Sequence, residues 1–163
     1  MARKTCLPVF TWVTTGIAIL LILLLVYMYT VYDFYGQEMG VPADGPGAAM
    51  KGVVELQPSN YDEIIGQSKY VFVEFYATWC GHCRRFAPEF AKLAAMVQED
   101  EALRAKLIVG KMDSKRLRQL ASKFKVTSYP SLFLVRPFQK KGVRYRGERS
   151  PETIMAYLKQ KIK

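Results

Sequence analysis

The segment YVFVEFYATWCGHCRRFAPEF, residues 70–90, decides the fold because a strand-like pattern and a helix-like pattern meet within it. Its first part is a continuous run of apolar, β-branched and aromatic side chains interrupted only by Glu74, which is typical of a fully buried strand. From about Cys80 to Gln98, apolar side chains recur at helical spacing instead. The sequence therefore predicts a buried central strand that leads directly into a helix.

The chain continues the same alternation on both sides of this unit. We predict the order β-α-β-α-β-α-β-β-α, with strands at residues 52–56, 69–77, 105–113, 131–137 and 142–148, and helices at residues 59–65, 80–98, 114–124 and 150–163. Such alternation predicts an α/β fold in which a mixed central sheet is flanked by helices on both faces.

The N-terminal part has a different composition. Residues 5–32 include no Asp, Glu, Lys, Arg or His, and the middle of this stretch is dense in Leu, Ile and Val. A helix of roughly 20 apolar residues is long enough to cross a bilayer. A cleaved signal peptide usually has an apolar region only about half as long, and a helix apolar on every face rarely fits inside a domain of this size. We therefore predict a transmembrane signal anchor at residues 9–32.

The flanking charges predict an orientation for this anchor. Arg3 and Lys4 precede the span, whereas Asp33 and Glu38 follow it, so the positive-inside rule leaves residues 1–8 as a short cytosolic N-terminus. The Gly- and Pro-rich residues 33–51 are expected to form a flexible tether to the domain at residues 52–163. Cys6, beside the span, is a candidate for palmitoylation or an unmodified thiol.

Cys80 and Cys83 lie where the predicted central strand ends and the following helix begins. At a helix N-terminus, unsatisfied backbone N–H groups and the positive end of the helix dipole stabilise a thiolate. Cys83 lies about one turn further on, so its sulfur can reach that of Cys80. This arrangement favours a reactive pair in which one sulfur attacks and the other resolves.

A metal site and an inert structural disulfide are weaker interpretations of the same pair. Structural zinc needs four ligands, and His82 is the only histidine in the chain, so we predict no metal. A disulfide that closes so short a loop would restrict the unfolded chain very little.

Three segments in order resemble the active domains of protein disulfide isomerases, within the thioredoxin superfamily. EFYATWCGHC (residues 74–83) is similar to their active-site strand and turn, GKMD (110–113) to their third strand, and VTSYPSLFLV (126–135) to the segment that holds their cis-proline. The resemblance covers residues 52–163 and implies a thioredoxin fold, in which Cys80 is the exposed nucleophile and Cys83 the resolving thiol.

Further site residues follow from the resemblance, one position at a time. Gly81 belongs to the C-G-H-C turn, Glu74 matches a buried carboxylate that accepts a proton from the resolving cysteine, and Lys111 matches the lysine that accompanies it. Burial of a carboxylate in such an apolar strand would otherwise be costly, which supports a functional role for Glu74.

Substrate contacts are also implied by the resemblance. Trp79 matches the tryptophan beside the nucleophile, and Pro130 matches the cis-proline, which leaves the backbone edge of Tyr129 available to a substrate strand. His82 is expected to favour the Cys80 thiolate and so to make the disulfide a better oxidant. Thr127 departs from the family pattern, because an arginine that lowers the pKa of the resolving cysteine often stands there. Arg84 and Arg85 are candidates to substitute for it in part.

Together these features predict a thiol–disulfide oxidoreductase that forms or rearranges disulfides in client proteins through its Cys80–Cys83 pair. We expect it in the endoplasmic reticulum membrane, as a single-pass protein with a lumenal domain, reoxidised by a thiol oxidase or glutathione and without any cofactor except the redox-active disulfide. A net charge of +10 favours acidic clients or anionic lipid, and no nucleic-acid recognition motif is present. A membrane-tethered reductase and a non-catalytic chaperone or adaptor remain alternatives.

Overall fold

The structure is a computed structural model that describes residues 9–38 and 45–162. The chain divides into two compact units, Met1–Glu38 and Met39–Lys163.

The described part of the first unit is one helix, α1, Val9–Glu38. Its side chains are described at residues 16–31, and the large apolar ones among them, such as Leu20 and Leu25, are exposed. Within the described side chains, no helix is both long and apolar enough to cross a membrane. The transmembrane assignment of residues 9–32 therefore stays a prediction, and Cys6 lies outside the described residues.

The second unit contains five strands and five helices among its described residues. In chain order they are β1 (Val53–Glu55), α2 (Tyr61–Ile64), β2 (Tyr70–Tyr76), α3 (Gly81–Glu99), α4 (Glu101–Lys106), β3 (Leu107–Asp113), α5 (Arg118–Lys123), β4 (Ser131–Val135), β5 (Gly142–Arg144) and α6 (Pro151–Lys161). The predicted order is confirmed except for α4, an additional helix between α3 and β3.

Local hydrogen bonds explain where the helices differ from the prediction. The Asp100 carboxylate caps α4 by accepting from the Leu103 N–H at 3.0 Å. The residues before α5 form turns instead of a first helical turn, because the Asp113 carboxylate accepts from the Lys115 N–H at 2.9 Å. As a result, α5 starts four residues later than the predicted start at Ser114.

The strands form one mixed sheet in the order β1-β3-β2-β4-β5. The pairs β1–β3 and β2–β3 are parallel, whereas β4 is antiparallel to both β2 and β5. Strand β2 is buried from Val71 to Tyr76, as its continuous apolar sequence predicts. The register places Glu74 of β2 beside Lys111 of β3, and Lys111 beside Glu55 of β1.

Helices cover both faces of this sheet, and each face has its own apolar core. On one face, α3 and α6 pack with side chains such as Phe90, Leu93 and Leu158, whereas the other face packs Ile65 and Phe124 from the neighbourhood of α2 and α5. Complete burial of one such side chain contributes roughly 1.5–3 kcal/mol to folding. The predicted mixed sheet flanked by helices is therefore confirmed.

Part of the predicted tether, residues 33–51, packs on the domain. We name residues 45–50 the strap. Met50 of the strap is buried in the core with α3 and α6, and the Lys111 ammonium donates hydrogen bonds to the carbonyl oxygens of Pro46, at 2.8 Å, and Ala48. Residues 33–38 belong to α1, so the predicted tether of residues 33–51 includes the end of a helix as well as the packed strap. Sequence alone favoured a tether because Gly and Pro break regular structure without preventing packing.

Candidate active site

The two cysteines lie at the junction of β2 and α3. Cys80 is the N-cap of α3, with φ −78° and ψ 113°, and its sulfur accepts from the Cys83 N–H at 3.3 Å. Both cysteines are free thiols in the structure. The helix N-terminus thus directs a backbone donor at the Cys80 sulfur, as the sequence predicted.

The two thiols differ in their access to solvent. Cys80 is 7% exposed and Cys83 is fully buried. Cys80 is therefore more covered than the word "exposed" in the prediction implies, yet it is the sulfur of the pair that a second protein can approach. Its thiol also lies 3.7 Å from the carbonyl oxygen of Tyr129, to which it donates.

The surroundings move the pKa values of the two thiols in opposite directions. Burial raises the pKa of Cys80, but hydrogen bonds from the Cys83 thiol and from the backbone N–H groups of Cys83 and His82 outweigh it, so the net pKa of Cys80 is lowered. Burial and the hydrogen bond to Cys80 raise the pKa of Cys83 to about 12. The pair therefore has one thiol ready to ionise and one that holds its proton.

Aromatic and backbone groups form the rim of the site. The Tyr129–Pro130 peptide bond is cis, and the Trp79 ring stands edge-to-face on the Tyr129 ring with centroids 6.0 Å apart. Trp79 is 68% exposed, so it offers an apolar surface to a partner beside Cys80. The structure thus brings Trp79, Tyr129 and Pro130 together around the accessible thiol.

His82 is exposed at the start of α3 and faces Arg85. Nη2 of Arg85 lies 3.0 Å from Nδ1 of His82. Because a guanidinium can only donate, Nδ1 accepts and the ring proton lies on Nε2. Gly81, the first residue of α3, has space beside it, since an added Cβ would meet only the end of the Arg85 side chain, at 4.0 Å.

Glu74 lies in β2, fully buried, and its charge acts to raise the pKa values of both cysteines. Neither of its carboxyl oxygens has a hydrogen-bond partner within the described part of the chain. Burial raises its pKa to about 8, although Lys111 and Arg149 act in the opposite direction. The charge of Glu74 in turn contributes to the raised pKa of Cys83, so the ionisation of the two groups is electrostatically coupled. A buried carboxyl group that lacks a hydrogen-bond partner among the described residues and is coupled to the Cys83 thiol suits a proton acceptor.

Lys111 is buried next to Glu74 in register, but its ammonium is engaged elsewhere. Its Nζ lies 3.3 Å from Oε2 of Glu55 and bonds to the strap carbonyls. No ion pair joins Lys111 to Glu74 among the described residues. The structure thus brings the predicted lysine to the site but pairs it with a different carboxylate.

Two arginines beside the cis-proline loop were missed from the sequence. Arg149 donates to the Pro130 carbonyl at 3.2 Å, and its charge lowers the pKa of Glu74. Arg144 of β5 donates to Ser128 at 2.9 Å and to Thr127 at 3.4 Å. The positive charge near the site therefore comes from β5 and the segment before α6, in addition to Arg85 on α3. Spacing along the chain gave no signal for either residue, because sheet pairing brings them to this loop.

Comparison with known proteins agrees with this geometry. The family model described as Thioredoxin matches residues 52–160. Protein disulfide-isomerase A4 of Bos taurus is 38% identical over 109 residues, which are 67% of this chain and 16% of that protein. Protein disulfide-isomerase of Hordeum vulgare is 36% identical over 114 residues, or 69% of this chain and 22% of that protein. The match therefore spans less than a quarter of either relative.

Solved structures give the same result. The first thioredoxin domain of mouse protein disulfide-isomerase A4 superposes with a TM-score of 0.62 at 34% identity, covering 71% of this chain and 79% of that domain. The Trx4 domain of ERdj5 gives a TM-score of 0.58 at 31% identity, covering 69% of this chain and 96% of that domain.

Proposed function

The chain belongs to the thioredoxin family, and we propose that it is a thiol–disulfide oxidoreductase that forms or rearranges disulfides in client proteins. The observation that carries this proposal is the unequal pair at the start of α3. Cys80 is the more accessible thiol and has a lowered pKa, whereas Cys83 is buried with its pKa raised to about 12. This difference in pKa suits disulfide exchange, because one sulfur attacks as a thiolate while the other stays protonated until it resolves the mixed disulfide.

In disulfide formation, the oxidised Cys80–Cys83 pair accepts two electrons from a client. A client thiolate attacks the Cys80 sulfur, the Cys80–Cys83 bond breaks, and Cys83 leaves and takes up a proton. A second client thiolate then attacks the client sulfur of the mixed disulfide and releases the Cys80 thiolate. The client has gained a disulfide, and a thiol oxidase or glutathione disulfide must reoxidise the pair.

In disulfide rearrangement, the reduced pair begins the reaction. The Cys80 thiolate attacks a client disulfide and forms a mixed disulfide, which releases one client thiolate. That thiolate attacks another disulfide of the same client, and the thiolate freed there attacks the client sulfur bonded to Cys80, so that Cys80 leaves as a thiolate. If the mixed disulfide persists, Cys83 passes its proton to the Glu74 carboxylate and attacks Cys80, which frees the client in reduced form. No bound cofactor is needed, since electrons move only between sulfur atoms.

Client binding is proposed at the rim around Cys80. The exposed Trp79 ring and the Tyr129 backbone lie next to the thiol, where an extended client segment can pair with the loop before β4. The basic surface of the domain favours acidic clients.

The reduction potential of the Cys80–Cys83 pair tests this direction of exchange. We expect a value of about −180 mV for the full chain equilibrated in glutathione buffers, whereas a value of about −270 mV would replace the proposal with a membrane-tethered reductase.

His82→Pro removes a backbone N–H that stabilises the Cys80 thiolate, so it should make the pair more reducing. His82→Ala is the matched control, because it removes the ring and keeps that N–H. An unchanged potential in both variants would contradict a redox role for His82.

The proposed location is the endoplasmic reticulum membrane, with residues 9–32 as the anchor and the domain in the lumen. The support is the uncharged apolar sequence and the row of exposed apolar side chains along α1. We expect the full chain to stay with the membrane pellet after alkaline extraction, and the domain to be protected from protease in sealed microsomes. Release into the supernatant would contradict the anchor. Digestion of the domain by protease would show that the domain faces the cytosol instead of the lumen.

A further inference from the structure

Three charged side chains form a row across the parallel part of the sheet. Glu55 of β1 is in register with Lys111 of β3, which is in register with Glu74 of β2. Neighbours in register point to the same face of a parallel sheet, so the lysine stands between two carboxyl groups. One ammonium therefore has two carboxyl groups within reach, and its position decides which of them is compensated.

The structure shows Lys111 turned toward Glu55. Its Nζ lies 3.3 Å from Oε2 of Glu55, and it donates to the carbonyl oxygens of Pro46, at 2.8 Å, and Ala48. These three acceptors use the three donors of the ammonium group. Glu74 is left without a hydrogen-bond partner within the described residues.

Glu55 is itself held in place. The Tyr76 hydroxyl donates to Oε1 of Glu55 at 2.8 Å, while Lys111 engages Oε2. Glu55 is 33% exposed at its side chain, whereas Lys111 is almost fully buried. A cavity of about 450 Å³ lies here, lined by strap residues together with Glu55, Tyr76 and Lys111. The partly exposed Glu55 carboxylate thus contacts both the solvent and the buried Lys111 ammonium.

We propose that Glu55 and the strap are positioning elements that hold Lys111 away from Glu74 and thereby keep Glu74 neutral. This inference rests on the proposed function for its catalytic meaning. A neutral Glu74 cannot accept the proton of Cys83, so resolution of a mixed disulfide is slow while the strap is docked. When Lys111 turns to Glu74, it stabilises the carboxylate, and the proton of Cys83 can pass to it.

Five charged or titratable groups interact with Glu74. They are Lys111 on β3, Glu55 on β1, Arg149 before α6, and the thiols of Cys80 and Cys83 at the start of α3. Glu55 raises the pKa of Glu74 and Lys111 lowers it. Loss of the Glu55 charge and release of Lys111 therefore act in the same direction, toward an ionised Glu74.

Glu55→Gln tests the inference because it keeps the shape of the side chain and removes its charge. The Glu74 carboxyl can be followed by NMR in the reduced full chain in detergent micelles, with ¹³C-labelled glutamate and Glu74→Gln to assign the signal. We expect Glu55→Gln to lower the titration midpoint of Glu74 by about one unit or more, a tenfold change in its ionisation ratio. Lys111→Met should raise the midpoint. A purely structural disturbance would not move the two variants in opposite directions.

Kinetics provide a second readout of the same variant. Cys83 should resolve a mixed disulfide between Cys80 and glutathione about fivefold faster at pH 7 in Glu55→Gln. The pH profile of this rate should shift to lower pH by the same number of units as the titration midpoint of Glu74. Glu63→Gln, an exposed acid on α2, is the matched control and should change neither quantity.

The outcomes separate this inference from the proposed function. An unchanged Glu74 midpoint in Glu55→Gln would overturn the positioning role even if disulfide exchange is fast. A shifted midpoint in a protein that exchanges no disulfides would overturn the proposed function and support the positioning role. If Lys111→Met does not fold, the midpoint in Glu55→Gln alone decides.

Discussion

Cys80→Ser is expected to reduce thiol–disulfide exchange by at least roughly three orders of magnitude, because removal of the nucleophile eliminates the covalent intermediate. A serine hydroxyl cannot form a mixed disulfide, and Cys83 is too buried and too firmly protonated to replace it. The rate can be measured with a glutathione disulfide that carries two self-quenching fluorophores. Substantial exchange by Cys80→Ser would show that the assignment of Cys80 as nucleophile is wrong.

Cys83→Ser should accumulate the mixed disulfide that Cys80→Ser cannot form. Cys80 can still attack, but the resolving thiol is missing, so client proteins accumulate as mixed disulfides that non-reducing electrophoresis separates and reducing agent releases. If Cys83→Ser captures no client, the proposed function fails. The double serine variant is the control for a chaperone or adaptor: protection of clients from aggregation by this variant would favour binding without redox chemistry.

Glu74→Leu is expected to stabilise the folded domain by roughly 4 kcal/mol at pH 8, while it slows resolution by Cys83. The carboxyl has a pKa of about 8 in the folded chain against 4.5 in the unfolded chain. Between these values the folded protein keeps a proton that the unfolded protein releases. Stability therefore falls as pH rises through this window, and leucine removes that loss.

The measurement is urea unfolding of the full chain in detergent at several pH values, followed by near-ultraviolet circular dichroism. The advantage of Glu74→Leu should grow from pH 4.5 to pH 8 and level off above it. Glu63→Leu on the exposed face of α2 is the control, for which we expect no such trend. An advantage independent of pH would mean that Glu74 is not kept neutral by burial. Such a gain in stability with loss of turnover is typical of residues retained for function.

Several parts of the fold could be predicted from the sequence because local patterns determine them. The apolar run of β2 requires burial on both faces, and helical spacing after Cys80 requires α3 to follow immediately. The thiol pair at this junction then follows from spacing alone. The limits of α5 and the presence of α4 could not be read in the same way, since the carboxylates of Asp113 and Asp100 decide them through single hydrogen bonds.

The sequence by itself determined the alternation of strands and helices and the position of Cys80 and Cys83 at a helix N-terminus, because both depend on residues close together in the chain. Only the tertiary structure decided the charge balance beneath them. Lys111 had two carboxyl groups in register, and the choice of Glu55 over Glu74 depends on the strap, whose carbonyls lie more than sixty residues away along the chain. Buried polar groups are satisfied by whatever donors and acceptors the packed fold brings near, and sequence spacing does not record that distance.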